Sequence, residues 1–158
     1  HLEVAGDGLG DDVELDLLVD INLKAPLVIA QEAMIAMRDR KIAGRIVFIG
    51  SAAGQTGGAL VGPHYVAAKA GSHALVKSLA KAGAAYGIRV NGVAPGFVDT
   101  DGLGRMLEVH DIDPGQQVTL GRPGTSEEIA QCVSFLLSDA ASYVDGALLD
   151  VNGGLFMR

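Results

Sequence analysis

The chain has no tryptophan, one cysteine and only 4% aromatic residues. No apolar run approaches the roughly 20 residues that a membrane helix needs. The single thiol, Cys132, excludes an intramolecular disulfide framework and any cysteine-cluster zinc site, and it fits a reducing cytoplasm. Lysine and arginine are missing from the first twenty residues, which hold seven acids (Glu3, Asp7, Asp11, Asp12, Glu14, Asp16 and Asp20). The remaining residues carry 12 acids and 12 bases, so the whole net charge of −7 sits in this lead. A neutral body behind an acidic lead has no electrostatic footprint for nucleic acid or an anionic membrane. The bland reading of the lead is a solvated acidic helix start behind a flexible segment. An initiator methionine is absent too. The chain starts at His1, without the basic start and apolar middle of a signal peptide, so a trimmed protein or a piece of a longer one is expected.

The composition that is present, 49% apolar and 20% charged over 158 residues, belongs to one globular domain with an aliphatic core. Glycine, at 22 residues, is about twice its usual share, which calls for many tight turns or close backbone approaches. Apolar residues recur at helical spacing over 13–41, and Pro26 predicts a bend near Asn22. A short continuous apolar run at 45–50 predicts a strand buried on both faces, and 88–93 and 147–151 read as two further short strands. Between them, 51–63 is a small-residue loop, 64–86 a helix stopped by Gly87, and 103–110 a short helix. Thr125 with Glu128 three residues on is a capping-box pattern that launches a helix to about Ser138. Strands alternating with helices predict an α/β fold with right-handed crossovers and a parallel sheet. A parallel sheet of three strands leaves an edge waiting for more sheet. The expectation is therefore one incomplete doubly wound domain over 1–158.

Tyr65 and Lys69 stand four apart on the 64–86 helix, so phenol and ammonium share a face. A phenol near pKa 10 is a poor acid or base at neutral pH. A cation about 4 Å away, at an effective dielectric of ~20, is worth about 4 kcal/mol, enough to draw the phenol toward the useful range. Alone, a Tyr/Lys pair at this spacing arises often by chance. Ser51 closes the first strand, where open parallel sheets present ligands, although a serine there also serves simply to cap a loop. Pro26 brings no N–H to the carbonyl of Asn22, and a carbonyl released at a bend can hold a relay water. Pro95 and Gly96 follow the second strand. His64 either touches substrate or sits solvated at a helix start. His73 and His110 lack metal-ligand spacing and read as surface residues, and no metal site is expected. Met34 and Met37 read as packing residues. The cations Arg38, Arg40, Lys41 and Arg45 suit a helix C-terminus, with an anion site as the lesser reading.

With Ser51, Tyr65, Lys69, Asn22 and the run Asn91-Gly-Val-Ala-Pro-Gly96 on the page, the chain resembles the short-chain dehydrogenase/reductase family, and within it the 3-oxoacyl-acyl-carrier-protein reductase-like group. The tail adds Leu120-Gly-Arg-Pro-Gly124, Glu127-Glu-Ile-Ala130, Phe135-Leu-Leu-Ser-Asp139 and Val151-Asn-Gly-Gly154. The resemblance implies a Rossmann-like fold and an NAD- or NADP-dependent oxidoreductase that interconverts a carbonyl and a secondary alcohol. By it, Tyr65 would be the general acid/base, Lys69 would lower the phenol and bond the nicotinamide ribose, Ser51 would orient the substrate oxygen, and Asn22 would hold the relay water. Pro95, Gly96, Val98 and Thr100 would line the nicotinamide site, with Tyr65 and Lys69 also touching the cofactor, and 101–117 would close over a small-molecule substrate. A cytoplasmic homodimer or homotetramer would follow, assembled on the two long helices. The run of Ala67, Ala68, Ala70, Gly71 and Ala74 suits such close helix approach.

Departures are as informative. The glycine-rich turn of the family's first strand and its Asn-Asn-Ala-Gly strand end are absent, and Gly6-Asp-Gly8-Leu-Gly10 follows no strand and reads as a loop. By the family's layout roughly 85–95 residues of dinucleotide site would come earlier. The Ser51-to-Tyr65 spacing is one longer than usual. Tyr86 stands where carrier-protein reductases have a basic residue, so with the acidic charge an acyl carrier protein is not an expected partner. A competing reading from another class is a non-catalytic half-domain serving in oligomerisation or as a scaffold piece.

Overall fold

Three parallel strands lie side by side in the order β1 (Arg45–Ile49), β2 (Arg89–Pro95), β3 (Leu148–Val151). This computed structural model describes residues 12–58 and 60–158, so the 6–10 glycine stretch and most of the acidic lead lie outside the described residues. The register runs from Arg45 opposite Arg89 to Ile49 opposite Val93, and from Gly92 opposite Leu148 to Pro95 opposite Val151. β2 is the central strand, and Val90 through Ala94 are all buried, the polar Asn91 among them. It extends to Pro95, two residues past the expected end, because β3 pairs with it there. Proline is tolerated at a strand end, where no ladder N–H is needed.

The expected bent helix is two helices fused through a widened turn: α1 (Asp12–Val19), a π-helical turn (Asp20–Lys24) and α2 (Ala25–Asp39). Pro26 sits at the start of α2, and the Ala25 N–H reaches back five residues to the Asp20 carbonyl. The Asn22 side-chain amide donates to the Leu18 carbonyl at 3.0 Å, filling an acceptor that the changed register frees. A one-turn helix α3 (Ala53–Thr56) lies in what reads as a loop. α4 (Pro63–Gly83) ends through a 3-10 turn (Ala84–Tyr86) at Gly87, whose φ of 68° is left-handed, as that stop signal requires. α5 (Asp101–His110) begins two residues early because the Thr100 hydroxyl caps it, accepting from the Leu103 N–H. A short turn α6 (Pro114–Gln117) follows.

α7 (Ser126–Leu137) is launched by the expected capping box. Glu128 N–H donates to Thr125 Oγ1 at 3.2 Å, and Thr125 N–H donates to Glu128 Oε2 at 2.8 Å. Arg122 clamps the same carboxylate at 2.7 and 2.9 Å, and together these bonds hold the Glu128 carboxyl at about 2.

Side chains of alternate strand residues point to opposite faces, so Phe48 and Val90 meet α2 and α4 on one face. There they cluster with Ala30, Val76, Leu79, Ala80 and Ile88, and Met34 and Met37 pack against the cluster as expected. Each fully buried aliphatic of this set contributes roughly 1.5–3 kcal/mol. α7 lies against β1 and β2 and buries Leu136. Of the cations at the ends of α2 and β1, Arg38 pairs with Asp39 and Arg45 with Asp139. Among the described residues no strand pairs with the outer edge of β1, and Ile49 there is 52% exposed.

Candidate active site

The C-terminal ends of β1 and β2 open into a cleft of about 640 Å³. Ser51, Tyr65, Pro95, Gly96, Val98 and Thr100 all line it, so six of the sequence-derived candidates share one cavity. The other walls are mainly apolar, from Ala52, Leu60, Val61, Phe97, Ile112 and Leu155. Gly102, Leu103, Ile112 and Gln117 bring the 101–117 segment over the opening. Among the described side chains the lining carries no charge.

Each element has a local reason for its place. Gly50 and Ala52 continue the ladder, donating to the Val93 and Pro95 carbonyls at 2.8 Å each, so the chain leaves β1 still attached to β2. The Ser51 hydroxyl oxygen accepts from the Ala53 N–H at 3.2 Å, which fixes the start of α3. The same hydroxyl shares the cleft with the Tyr65 phenol and acts to lower it. Gly96 lies where a Cβ would fall 2.9 Å from the Asn152 Cα, so β2 can turn out of the sheet only without a side chain there. A parallel bridge from Val98 to Gly124 then braces the strip that Thr100 ends.

Lys69 lies one helical turn beyond Tyr65, half-buried. Its ammonium stands 5.6 Å from the centre of the Tyr65 ring and donates to the Ile49 carbonyl at 3.1 Å. The expectation that Lys69 draws the phenol down fails here. Burial pushes the Tyr65 phenol above its ordinary value, and the Ser51 hydroxyl offsets only part of that. Burial also lowers the Lys69 ammonium. The ammonium stands over the face of the ring, and its hydrogen bond goes to the Ile49 carbonyl. Neither Lys69 nor Asn22 lines the cleft. The π turn that carries Asn22 packs on α4, where the Leu23 side chain fills the space left by Gly71.

Two histidines depart from expectation. His64 is buried at the start of α4, not solvated, and its imidazole fills the space over Gly62. His73 is not a surface residue: it is 9% exposed, and its Nε2 accepts the Ser51 N–H at 3.2 Å. Its only sequence signal was the four-residue step from Lys69. His110 is exposed. A polar chain also lies behind the site that no motif announced, in which Gln55 on α3 donates to Asp150 on β3 at 2.7 Å and Arg158 donates to the same carboxylate at 2.9 and 3.1 Å. Among the described residues no cluster of histidine, cysteine, aspartate and glutamate could hold a metal ion, and no helix is long and apolar enough to cross a membrane.

A family model described as enoyl-(acyl carrier protein) reductase matches residues 10–156. The 3-oxoacyl-acyl-carrier-protein reductase of Salmonella typhimurium is 42% identical over 146 residues, which is 92% of this chain and 59% of that protein. The chain thus spans less than two thirds of the length of this curated relative. An Agrobacterium tumefaciens protein provisionally named 2-deoxy-d-gluconate 3-dehydrogenase, solved with bound NADP, superposes with a TM-score of 0.89 at 36% identity. The match covers 98% of this chain and 63% of that one. A 4-hydroxyisoleucine dehydrogenase complexed with NADH and succinate matches with a TM-score of 0.81 at 29% identity, over 92% of this chain and 60% of that one.

Proposed function

The chain belongs to the short-chain dehydrogenase/reductase family, and from that premise we propose that it is the catalytic portion of an NAD- or NADP-dependent oxidoreductase that interconverts a carbonyl and a secondary alcohol. The observation that carries the reading is the Ser51 hydroxyl and the Tyr65 phenol lining one apolar cleft at the strand ends, with the hydroxyl near enough to act on the phenol. Because the Ser51 oxygen already accepts from Ala53, its proton is left to donate toward a substrate carbonyl oxygen. The raised phenol holds its proton at neutral pH and donates it to that same oxygen as the alcohol forms, a general acid in the direction of reduction. Lys69 on the same helix and the carbonyl of Asn22, on the π turn that packs against that helix, would supply the route by which it is reprotonated. A nicotinamide would supply the hydride. The residues present suit its ring: Pro95, Gly96 and Val98 offer a flat apolar wall, and the Thr100 hydroxyl, which uses its oxygen to cap α5, keeps a proton for a carboxamide.

The uncharged lining favours a neutral small-molecule carbonyl over a phosphorylated or multiply charged one. The open edge of β1 is where a Rossmann-like sheet would continue. Exposed Leu17, Ile21, Val28, Ile29 and Ile35, on α1, the π turn and α2, support a homodimer or homotetramer. The lone thiol supports a cytoplasmic setting. The scaffold reading would account for that apolar surface but leaves the Ser51–Tyr65 pair without a reason.

The test is Tyr65→Phe in the purified full-length protein, following NADH or NADPH oxidation against neutral aldehydes and ketones. Turnover is expected to fall about 10²- to 10⁴-fold with an unchanged melting temperature. A variant that keeps a tenth or more of wild-type turnover overturns the mechanism.

A further inference from the structure

The backbone N–H of Ser51 poses an accounting problem. The N–H groups of its neighbours Gly50 and Ala52 are taken by the Val93 and Pro95 carbonyls of β2. Successive N–H groups of an extended chain point to opposite sides, so that of Ser51 points away from β2 and has no ladder partner. The acceptor it finds is His73 Nε2, at 3.2 Å. The imidazole is seated rather than merely nearby. A Cβ on Gly50 would fall 2.4 Å from His73 Nε2, and a Cβ on Gly54 would fall 2.8 Å from His73 Cε1. Two glycines that flank Ser51 in sequence thus leave the space that the ring occupies.

We propose that His73 is a positioning residue for the reaction read above: a neutral imidazole whose Nε2 accepts the Ser51 N–H and so fixes the serine that meets Tyr65. The proposal rests on the oxidoreductase reading. A backbone N–H can only donate, so Nε2 must carry no proton and the ring proton sits on Nδ1. Protonation turns the acceptor into a second donor facing the Ser51 N–H, and the bond is lost. Lys69 and Lys77 on α4, Arg158 in the C-terminal segment and Asp150 on β3 all face the ring electrostatically. Burial first, then the three cations, lower the imidazole below its ordinary value against the pull of Asp150. The neutral form is therefore the one held at neutral pH, and the bond fails only in acid.

Two variants of the full-length protein separate the roles. His73→Gln can still offer a carbonyl oxygen to Ser51, while His73→Leu fills similar space with no acceptor. With the carbonyl and nicotinamide pair that serves the wild type, His73→Leu is expected to lower kcat about 10- to 100-fold with little change in KM, and His73→Gln to recover most of it. In the reductive direction acid does not harm a phenol that donates its proton. A loss of kcat at acid pH in the wild type therefore belongs to His73, and it should vanish in His73→Gln. Nitrogen NMR of the wild type supplies a readout independent of turnover: the ring nitrogen coupled to the Ser51 amide should be unprotonated Nε2. An Nε2-protonated tautomer, wild-type kcat in His73→Leu, or an acid limb retained in His73→Gln overturns the proposal. If no carbonyl is reduced by the wild type, the oxidoreductase reading falls and the catalytic role of His73 falls with it. Failure of the His73 tests in an active enzyme overturns the positioning role alone.

Discussion

Gly54→Ala tests whether the seam between α3 and α4 sets the chemistry. A Cβ at Gly54 would lie 2.8 Å from the Ala70 nitrogen, 2.8 Å from His73 Cε1 and 2.9 Å from the Lys69 carbonyl carbon, where ordinary contact begins at 3.4 Å. Backbone atoms of α4 cannot rotate away, so α3 must retreat by about 0.6 Å, the difference between 3.4 and 2.8. Overpacking of this kind costs about 1–3 kcal/mol. Against it, alanine gains about 0.5–1 kcal/mol over glycine in a helix. The net stability change is then anywhere from about 0 to 2.5 kcal/mol, too wide a range to be decisive. Turnover is the sharper readout. Gly54 N–H donates to the Ser51 carbonyl at 3.1 Å, so the retreat is carried directly into Ser51 and away from Tyr65. Displacements approaching 1 Å in catalytic geometry cost up to about 100-fold. Urea unfolding and steady-state carbonyl reduction on the same preparation should show near-native stability with kcat lowered about 10- to 100-fold. A kcat within about threefold of wild type would refute the claim that this seam positions Ser51.

Three further outcomes follow from buried and half-buried polar groups. Asn91 is 1% exposed, donates to the Val144 carbonyl at 2.9 Å and accepts the Ala147 N–H at 3.0 Å, so Asn91→Leu strands two backbone groups and should cost about 2–5 kcal/mol in urea unfolding; a loss under about 1 kcal/mol would show that water replaces both bonds. Titration followed by phenolate absorbance should show a component above the ordinary phenol range that Tyr65→Phe removes, and its persistence in that variant would refute the assignment. The sign for stability follows from linkage. The Tyr65 phenol is raised on folding, so its contribution is complete below about pH 10 and is lost as pH rises through the folded value, whereas the lowered Lys69 ammonium makes stability climb as pH rises through its folded value. Lys69→Met should flatten that climb and leave the Tyr65 loss.

Much of the fold was legible because its signals are local. The strand at 45–49 is rich in apolar residues because α4 and α7 pack against it, and Thr125 with Glu128 can make its two bonds without help from distant residues. Pro26 announces a bend through its missing N–H, although not that the bend is a π turn, which depends on how α1 and α2 both rest on α4. α3 was hidden because four residues hold too little propensity to show. What makes it helical is the burial of Ala52 and its contact with α4. The Tyr65 and Lys69 spacing placed both residues on one face, but the fate of the Lys69 ammonium turned on the Ile49 carbonyl, twenty residues away. For His73 the deciding neighbours, Gly50 and Gly54, are likewise remote in sequence, so an Ala-rich helix context made it look exposed.

Tyr65, Lys69 and His73 are successive four-residue steps along α4, and a helix turns about 400° in four residues, so the three side chains climb one face with a slow drift. Each meets the same short stretch of chain at a different level: Tyr65 the Ser51 hydroxyl, Lys69 the Ile49 carbonyl, and His73 the Ser51 N–H. One helix face therefore grips both backbone and side chain where β1 ends. This explains why that stretch must carry small residues on either side of Ser51: any side chain at 50 or 54 would meet the helix before the serine could reach the phenol. The glycines around Ser51 and the three polar residues of α4 are in this sense one device, split across the chain, and a change to either half should be felt in turnover well before it is felt in stability.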